Sequence, residues 1–235
     1  MTRQRLKRSD KLKNFRQKKR QAKGATWLPV IFLALFFSAT AQHFGISDRM
    51  LAKIRIKYGE TAEARIQHWQ HMIAEYQGSE DIERLRAVNN FFNESRFIND
   101  IDLWHKNDYW ATPLEFLAKD AGDCEDFSIA KYFTLKEMGL DISKLRITYV
   151  KATLLNQAHM VLAYYETPTT VPLILDNINK RILPASERSD LRPIYSFNAD
   201  SLWLSRTRNE QLKAGKPDQL RLWKDLNRRM QLEML

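Results

Sequence analysis

The spacing of apolar residues changes period near Leu145, from helical to strand-like, and that change restricts the chain to a fold with two unlike parts. Before it, Ala52, Ile56, Ala62, Ile66, Trp69, Met72, Ile73 and Tyr76 recur at helical spacings, with an interruption at Gly59 and a break at Gly78-Ser79. Residues 82–93 read as another amphipathic helix, with Leu85, Val88 and Phe91 or Phe92 inward. Residues 98–111, rich in aromatics, Asn and Asp, read as irregular. After it, residues 145–151 alternate as a half-buried strand does, and strands follow at 158–166 and 172–176, with a short one near 194–197. Residues 217–233 close the chain as a helix with Leu220, Trp223, Leu226 and Met230 on one side. A helical N-terminal part followed by antiparallel strands is an α+β arrangement.

The junction between the parts carries the chemistry. Thr112 is placed to cap a short helix, Pro113 suits its first position, and Glu115 completes a capping box. Gly122 is expected to end that helix. Asp123 then caps a second one, running through Phe127, Ala130, Tyr132, Phe133 and Leu135 to a stop at Gly139. Cys124 therefore falls at a helix N-terminus, where unpaired N–H groups favour a thiolate. It is the only cysteine, so it is either an inert core thiol or a reagent. Asp123, Glu125 and Asp126 beside it make a poor apolar pocket, which favours the reagent.

His159 is the only histidine after Cys124 and lies in a run of strand character; Asp176 ends the next apolar run. Singly, each has a structural reading, His159 as a hydrogen-bonded core histidine and Asp176 as a turn residue before Asn177. Together, a cysteine, a histidine and an orienting carboxylate can attack a carbonyl. Asn177 is an alternative orienter. The backbone N–H of Cys124 is the natural first oxyanion donor, and Trp110 or Gln157 is open as the second. His68 and His71, three apart on a helix, have no third ligand placed to join them and read as a solvated or packed pair. Trp104, Tyr109 and Trp110 read as core or cleft wall.

The net charge of +10 describes a tail and not a domain. Residues 1–24 hold 11 Lys or Arg and one acidic side chain, and the other 211 residues hold 27 of each sign. The tail precedes an apolar run of 11 residues, 27–37, which is short against the roughly 20 needed to cross a bilayer. Ser38-Ala39-Thr40-Ala41 then gives the small-residue pattern of a cleavage site, with Gln42 first in the mature chain. Residues 1–41 thus read as a basic leader and apolar signal segment, and 42–235 as a single domain; an uncleaved membrane anchor is the rival. A nucleic-acid-binding arm has no need of the apolar run, so no nucleic-acid partner is expected.

Five blocks bear a family likeness: residues 110–117, Gly122-Asp123-Cys124-Glu125-Asp126-Phe127, residues 145–150, Gln157-Ala158-His159-Met160-Val161-Leu162, and Leu175-Asp176-Asn177. Together they resemble the bacterial transglutaminase-like cysteine proteinases, and within them the periplasmic LapG type, over about residues 80–198. The resemblance implies a papain/transglutaminase-like core in which the cysteine helix packs on the antiparallel sheet. It implies Cys124 as nucleophile, His159 as general base and acid, and Asp176 as its orienter. It also implies calcium-dependent cleavage of a large surface adhesin near its N-terminus, releasing the adhesin and dispersing biofilm. The implied partner is an inner-membrane receptor that senses cyclic di-GMP and sequesters the protease in the periplasm.

The three acids pose a problem, since their charges raise a thiol pKa. A divalent cation would offset them. Asp123, Glu125 and Asp126 are hard oxygen ligands, which suit calcium better than zinc. The rival is capping and dipole pairing by Asp123 and Asp126 without metal. Two other functions stay open: a transglutaminase or other amide acyl transferase, in which an amine takes the thioester, and a non-catalytic calcium-binding partner of a membrane receptor.

Overall fold

The computed structural model describes residues 46–207, 210–217 and 220–233. The leader expectation for 1–41 lies outside the described residues. Helices α1 (Asp48–Tyr58), α2 (Glu60–Tyr76) and α3 (Asp81–Phe92) form the N-terminal part, and Gly59 joins the first two at a φ of 90° that a residue with a Cβ resists. After α3 come a two-residue strand β1 (Arg96–Phe97), a single turn α4 (Asp100–Leu103), helix α5 (Pro113–Lys119), strand β2 (Ala121–Gly122) and helix α6 (Cys124–Glu137). Strands β3 (Leu145–Ala152), β4 (Gln157–Tyr164), β5 (Leu173–Leu175), β6 (Leu183–Pro184), β7 (Leu191–Phe197), β8 (Leu202–Thr207) and β9 (Glu210–Gly215) follow, and helix α7 (Arg221–Glu233) closes the described chain.

The seven strands form one antiparallel sheet in the order β6-β5-β4-β3-β7-β8-β9. Period-two alternation divides its side chains. Leu145, Ile147, Met160, Leu162, Leu175 and Phe197 join the main core with the helices, while Val150, Ala152, Val161, Ala163, Ile174 and Leu191 form a second, smaller cluster. Helix α6 packs on β3 and β4 with α3 and α5 against it, and it is buried nearly all round. That position explains why its sequence lacks a polar face. The Trp69 indole of α2 donates to Thr134 Oγ1 of α6 at 2.9 Å inside this core.

The expected helices and strands are present; the short strands β1, β2 and β6 and the turn α4 were not foreseen, and two further differences bear on the site and the sheet. The helix begun at Thr112 ends at Asp120, which takes the left-handed conformation at φ 51°. Gly122 is therefore not its stop. It lies in β2, paired in parallel with Phe97 of β1, and it is glycine for want of space: a Cβ there would meet Asp126 Cβ and Oδ2 at 2.6 Å and Phe116 Cδ2 at 2.7 Å. The second difference is the hairpin β8–β9, which the sequence reading missed. Its Leu204 is half exposed, so the apolar signal of a core strand is weak there.

Helix α7 buries Trp223, Leu226 and Met230, each contributing about 1.5–3 kcal/mol by the area removed from water. Trp223 stacks on Phe133 at 5.5 Å and meets Phe197 edge-on at 5.2 Å. From its far end, Arg229 donates to Glu115 and to the Trp110 carbonyl and lies over the Tyr109 ring, while Thr112 Oγ1 donates to Glu233 at 2.7 Å. The last helix thus fastens the segment that leads into α5.

Candidate active site and acidic cluster

Cys124 is the first residue of α6, with Asp123 as N-cap and Asp126 Oδ2 accepting from the Asp123 N–H at 3.3 Å. The thiol donates to Glu125 Oε2 at 3.1 Å, and the Met160 backbone N–H also acts on the sulfur. The sulfur therefore lies against β4, one residue beyond His159. Burial pushes the Cys124 thiol far up, the Glu125 and Asp123 charges add to this, and the Met160 N–H opposes it. With the carboxylates charged and nothing to offset them, the sulfur is held as a thiol.

His159 and Asp176 come together. Both are almost wholly buried, and His159 Nε2 meets Asp176 Oδ1 at 2.8 Å. With the proton on Nε2 facing the carboxylate, Nδ1 is left as an acceptor. Asp176 Oδ1 also accepts from Ile178 N at 3.0 Å, and Oδ2 accepts from Arg188 Nη2 at 2.7 Å. Burial alone would raise this carboxyl, but the bonds from His159 and Arg188 outweigh it and hold it well below the usual carboxylate range. Asn177 does not take the place of Asp176: its Oδ1 is buried without a hydrogen-bond partner among the described residues.

The three acids beside Cys124 gain two companions from the segment read as irregular. Asp100, Asp123 and Asp126 bring a ligand oxygen each within 4.8 Å of one another, and so do Asp100, Asp108 and Glu125. Asp126 already serves the backbone, its Oδ1 accepting from Ala111 N at 2.7 Å and its Oδ2 from Asp123 N. Asp100 Oδ1 and Asp123 Oδ1, by contrast, are buried without a partner among the described residues. Burial, reinforced by neighbouring carboxylates, raises Asp100 to about 7, Asp123 to about 8 and Glu125 to about 6. Orphaned buried oxygens and mutually repelling acids are what a hard dication relieves, so the residues fit a calcium-type ion.

Arg188 and Asp108 escaped sequence reasoning because neither has a motif or a period. Asp100 had one weak signal, its place after Asn99 at a helix start. Trp110 stacks on Phe197 at 5.7 Å and is wall rather than surface. His68 lies edge-on to Phe91, and no metal-type cluster among the described residues includes it or His71.

A thiol at the start of a helix laid on an antiparallel sheet, with a histidine and a carboxylate bonded on neighbouring strands, defines the transglutaminase-like class of thiol proteins. Residues 56–197 match the profile of the bacterial transglutaminase-like cysteine proteinases, BTLCP, and the chain belongs to that family. It is similar to the solved LapG of Legionella pneumophila in its EGTA-treated form, at 41% identity and a TM-score of 0.69 over 77% of this chain and 96% of that one. It is also similar to the calcium-bound form, at 41% identity and 0.67 over 77% and 98%. Comparison with curated proteins gives no match. Among the described residues no helix is long and apolar enough to cross a membrane.

Proposed function

We propose that this protein is a calcium-dependent periplasmic cysteine endopeptidase that cuts a large surface adhesin near its N-terminus and so releases it from the cell. The observation that carries the reading is the buried His159–Asp176 pair at 2.8 Å, on the strands beneath the helix that begins with the chain's one cysteine. The family supports peptidase chemistry; periplasmic location is proposed from the leader expected at residues 1–41, and the adhesin from the family resemblance.

Asp176 orients the imidazole and stabilises its cation. His159 Nδ1 takes the Cys124 proton, and the thiolate attacks the scissile carbonyl. The first N–H groups of α6 have no intrahelical acceptor, so the Cys124 N–H is free to bind the developing oxyanion. His159 returns the proton to the leaving amine, and water activated by the same imidazole hydrolyses the thioester. Asp100, Asp123 and Glu125, flanked by Asp108 and Asp126, would hold calcium. When bound, the ion supplies positive charge that offsets these acids beside the sulfur.

The test is cleavage of an adhesin N-terminal fragment from the same organism, with calcium and with chelator, beside Cys124→Ala. Cutting that needs calcium and fails in the variant supports the reading. A fragment that is bound under every condition and never cut replaces it with sequestration by a calcium-binding partner. Products cross-linked to lysine amines would make the protein an acyl transferase. Pull-down by the periplasmic domain of a cyclic di-GMP receptor tests the proposed sequestering partner.

A further inference from the structure

The geometry points to Lys131 as a positioning residue of this site: from the helix that carries Cys124 it holds the backbone of Asp176, so one rigid element sets both the sulfur and the carboxylate that orients His159. The role rests on the cysteine-peptidase reading. Lys131 follows Cys124 by seven residues, about two helical turns, which returns it to the same side of α6.

Lys131 is 1% exposed, and its Nζ sits among three oxygens: Asn89 Oδ1 at 2.9 Å, Asn93 Oδ1 at 2.8 Å and the Asp176 carbonyl at 3.2 Å. An ammonium has three donors, and each finds one acceptor. None of these partners is a carboxylate. A cation buried without one is costly, and an apolar side chain of equal length would pack the position at less cost. The one backbone acceptor among the three is the Asp176 carbonyl, which stands just past the last ladder residue, Leu175.

The same carbonyl accepts from Asn93 Nδ2 at 2.9 Å. Asn89 Nδ2 donates to the Lys180 carbonyl at 2.8 Å, and Lys180 Nζ returns a bond to the Asn93 carbonyl at 2.7 Å. These contacts clamp the turn after β5 between α3 and α6. Arg188 and the Ile178 N–H then orient the carboxylate itself. Backbone and side chain of Asp176 are thus held by separate groups, and Lys131 is the one that shares a helix with the thiol.

The experiment uses the full chain with calcium present. It compares wild type with Lys131→Met, Lys131→Gln, Asp176→Ala and the Lys131→Met/Asp176→Ala double variant. One readout is the strongly downfield NMR proton of an imidazole N–H bonded to a carboxylate. The other is the rate of Cys124 alkylation by iodoacetamide. Folded Lys131→Met is expected to lose the downfield proton and to alkylate about 10²-fold more slowly, the scale of a misplaced catalytic group. The double variant should be no slower than Asp176→Ala alone, because the two changes break one linkage. Lys131→Gln, with a shorter neutral donor, should fall between, and it carries the test if Lys131→Met does not fold. A folded Lys131 variant that keeps the proton and the rate overturns the proposal, as does a double variant whose losses add. A wild type that shows the proton but alkylates no faster than free cysteine overturns the peptidase reading, and Lys131 is then judged on the proton alone.

Discussion

Replacing Gly122 by alanine should unsettle the nucleophile from outside the reaction. The added methyl would sit 2.6 Å from Asp126 Cβ and Oδ2 and 2.7 Å from Phe116 Cδ2. None of these can yield cheaply. Asp126 is held by the Ala111 and Asp123 N–H groups, and Phe116 is fully buried, edge-on to Phe92 and Phe127. The Gly122 backbone is pinned too, its carbonyl accepting from Ile98 N at 3.0 Å. Overpacking of this kind costs about 1–3 kcal/mol, and releasing the Asp126 arm of the cap about 1 more. The sum, about 2–4 kcal/mol, corresponds to a fall in Tm of about 5–15 °C for a domain of this size. Because Asp126 caps the residue before Cys124, alkylation by iodoacetamide should slow as well. Gly78→Ala is the control, since its Cβ meets nothing within 4 Å. The assay is thermal melting by circular dichroism beside the alkylation rate. A Gly122→Ala protein that melts and alkylates with Gly78→Ala refutes the reasoning.

Calcium should raise Tm more at pH 8 than at pH 5. Asp100, Asp123 and Glu125 have folded pKa values raised above their unfolded ones, so their own contribution to metal-free stability is fullest below about pH 4 and is lost as pH rises through about 6 to 8; equal shifts at both pH values would count against the cluster. Asp176→Asn should show the opposite dependence. A carboxyl depressed in the fold contributes above its unfolded value, so the stability gap to wild type is full at neutral pH and closes as pH falls below about 4; a gap independent of pH would refute it. Asp100→Asn should weaken calcium affinity by about tenfold or more, since it removes one of the charges that tune such sites, as read by titration calorimetry. Unchanged affinity would remove Asp100 from the site.

What the sequence revealed and what it hid divide along a physical line. Thr112-Pro113-Leu114-Glu115 and Asp123-Cys124 were legible because caps are local chemistry, decided within four residues. His159 and Asp176 were legible because one lies near the start of an alternating strand and the other ends a short apolar run. Asp100, Asp108, Lys131 and Arg188 were not, because their roles depend on partners 12 to 45 positions away that no local pattern encodes. Lys131 was especially hidden, as a charged residue set between Ala130 and Tyr132, which were read as apolar positions of the helix. The misjudged stop at Gly122 has the same origin. A glycine signals a turn in sequence, and only packing reveals that this one is small to let Asp126 and Phe116 close over it.

The grip of α7 also sets an order of events. Arg229 and Glu233 fasten Glu115, Trp110 and Thr112, which precede them by 114 to 121 positions, and Ala111, between Trp110 and Thr112, donates its N–H to Asp126 near the thiol. A chain still emerging from a ribosome has its cysteine and its strands long before it has this clasp. On the proposed reading, competence therefore arrives last, with this helix, and a chain cut short before residue 221 would lack both the clasp and the Trp223, Leu226 and Met230 side chains that complete the core.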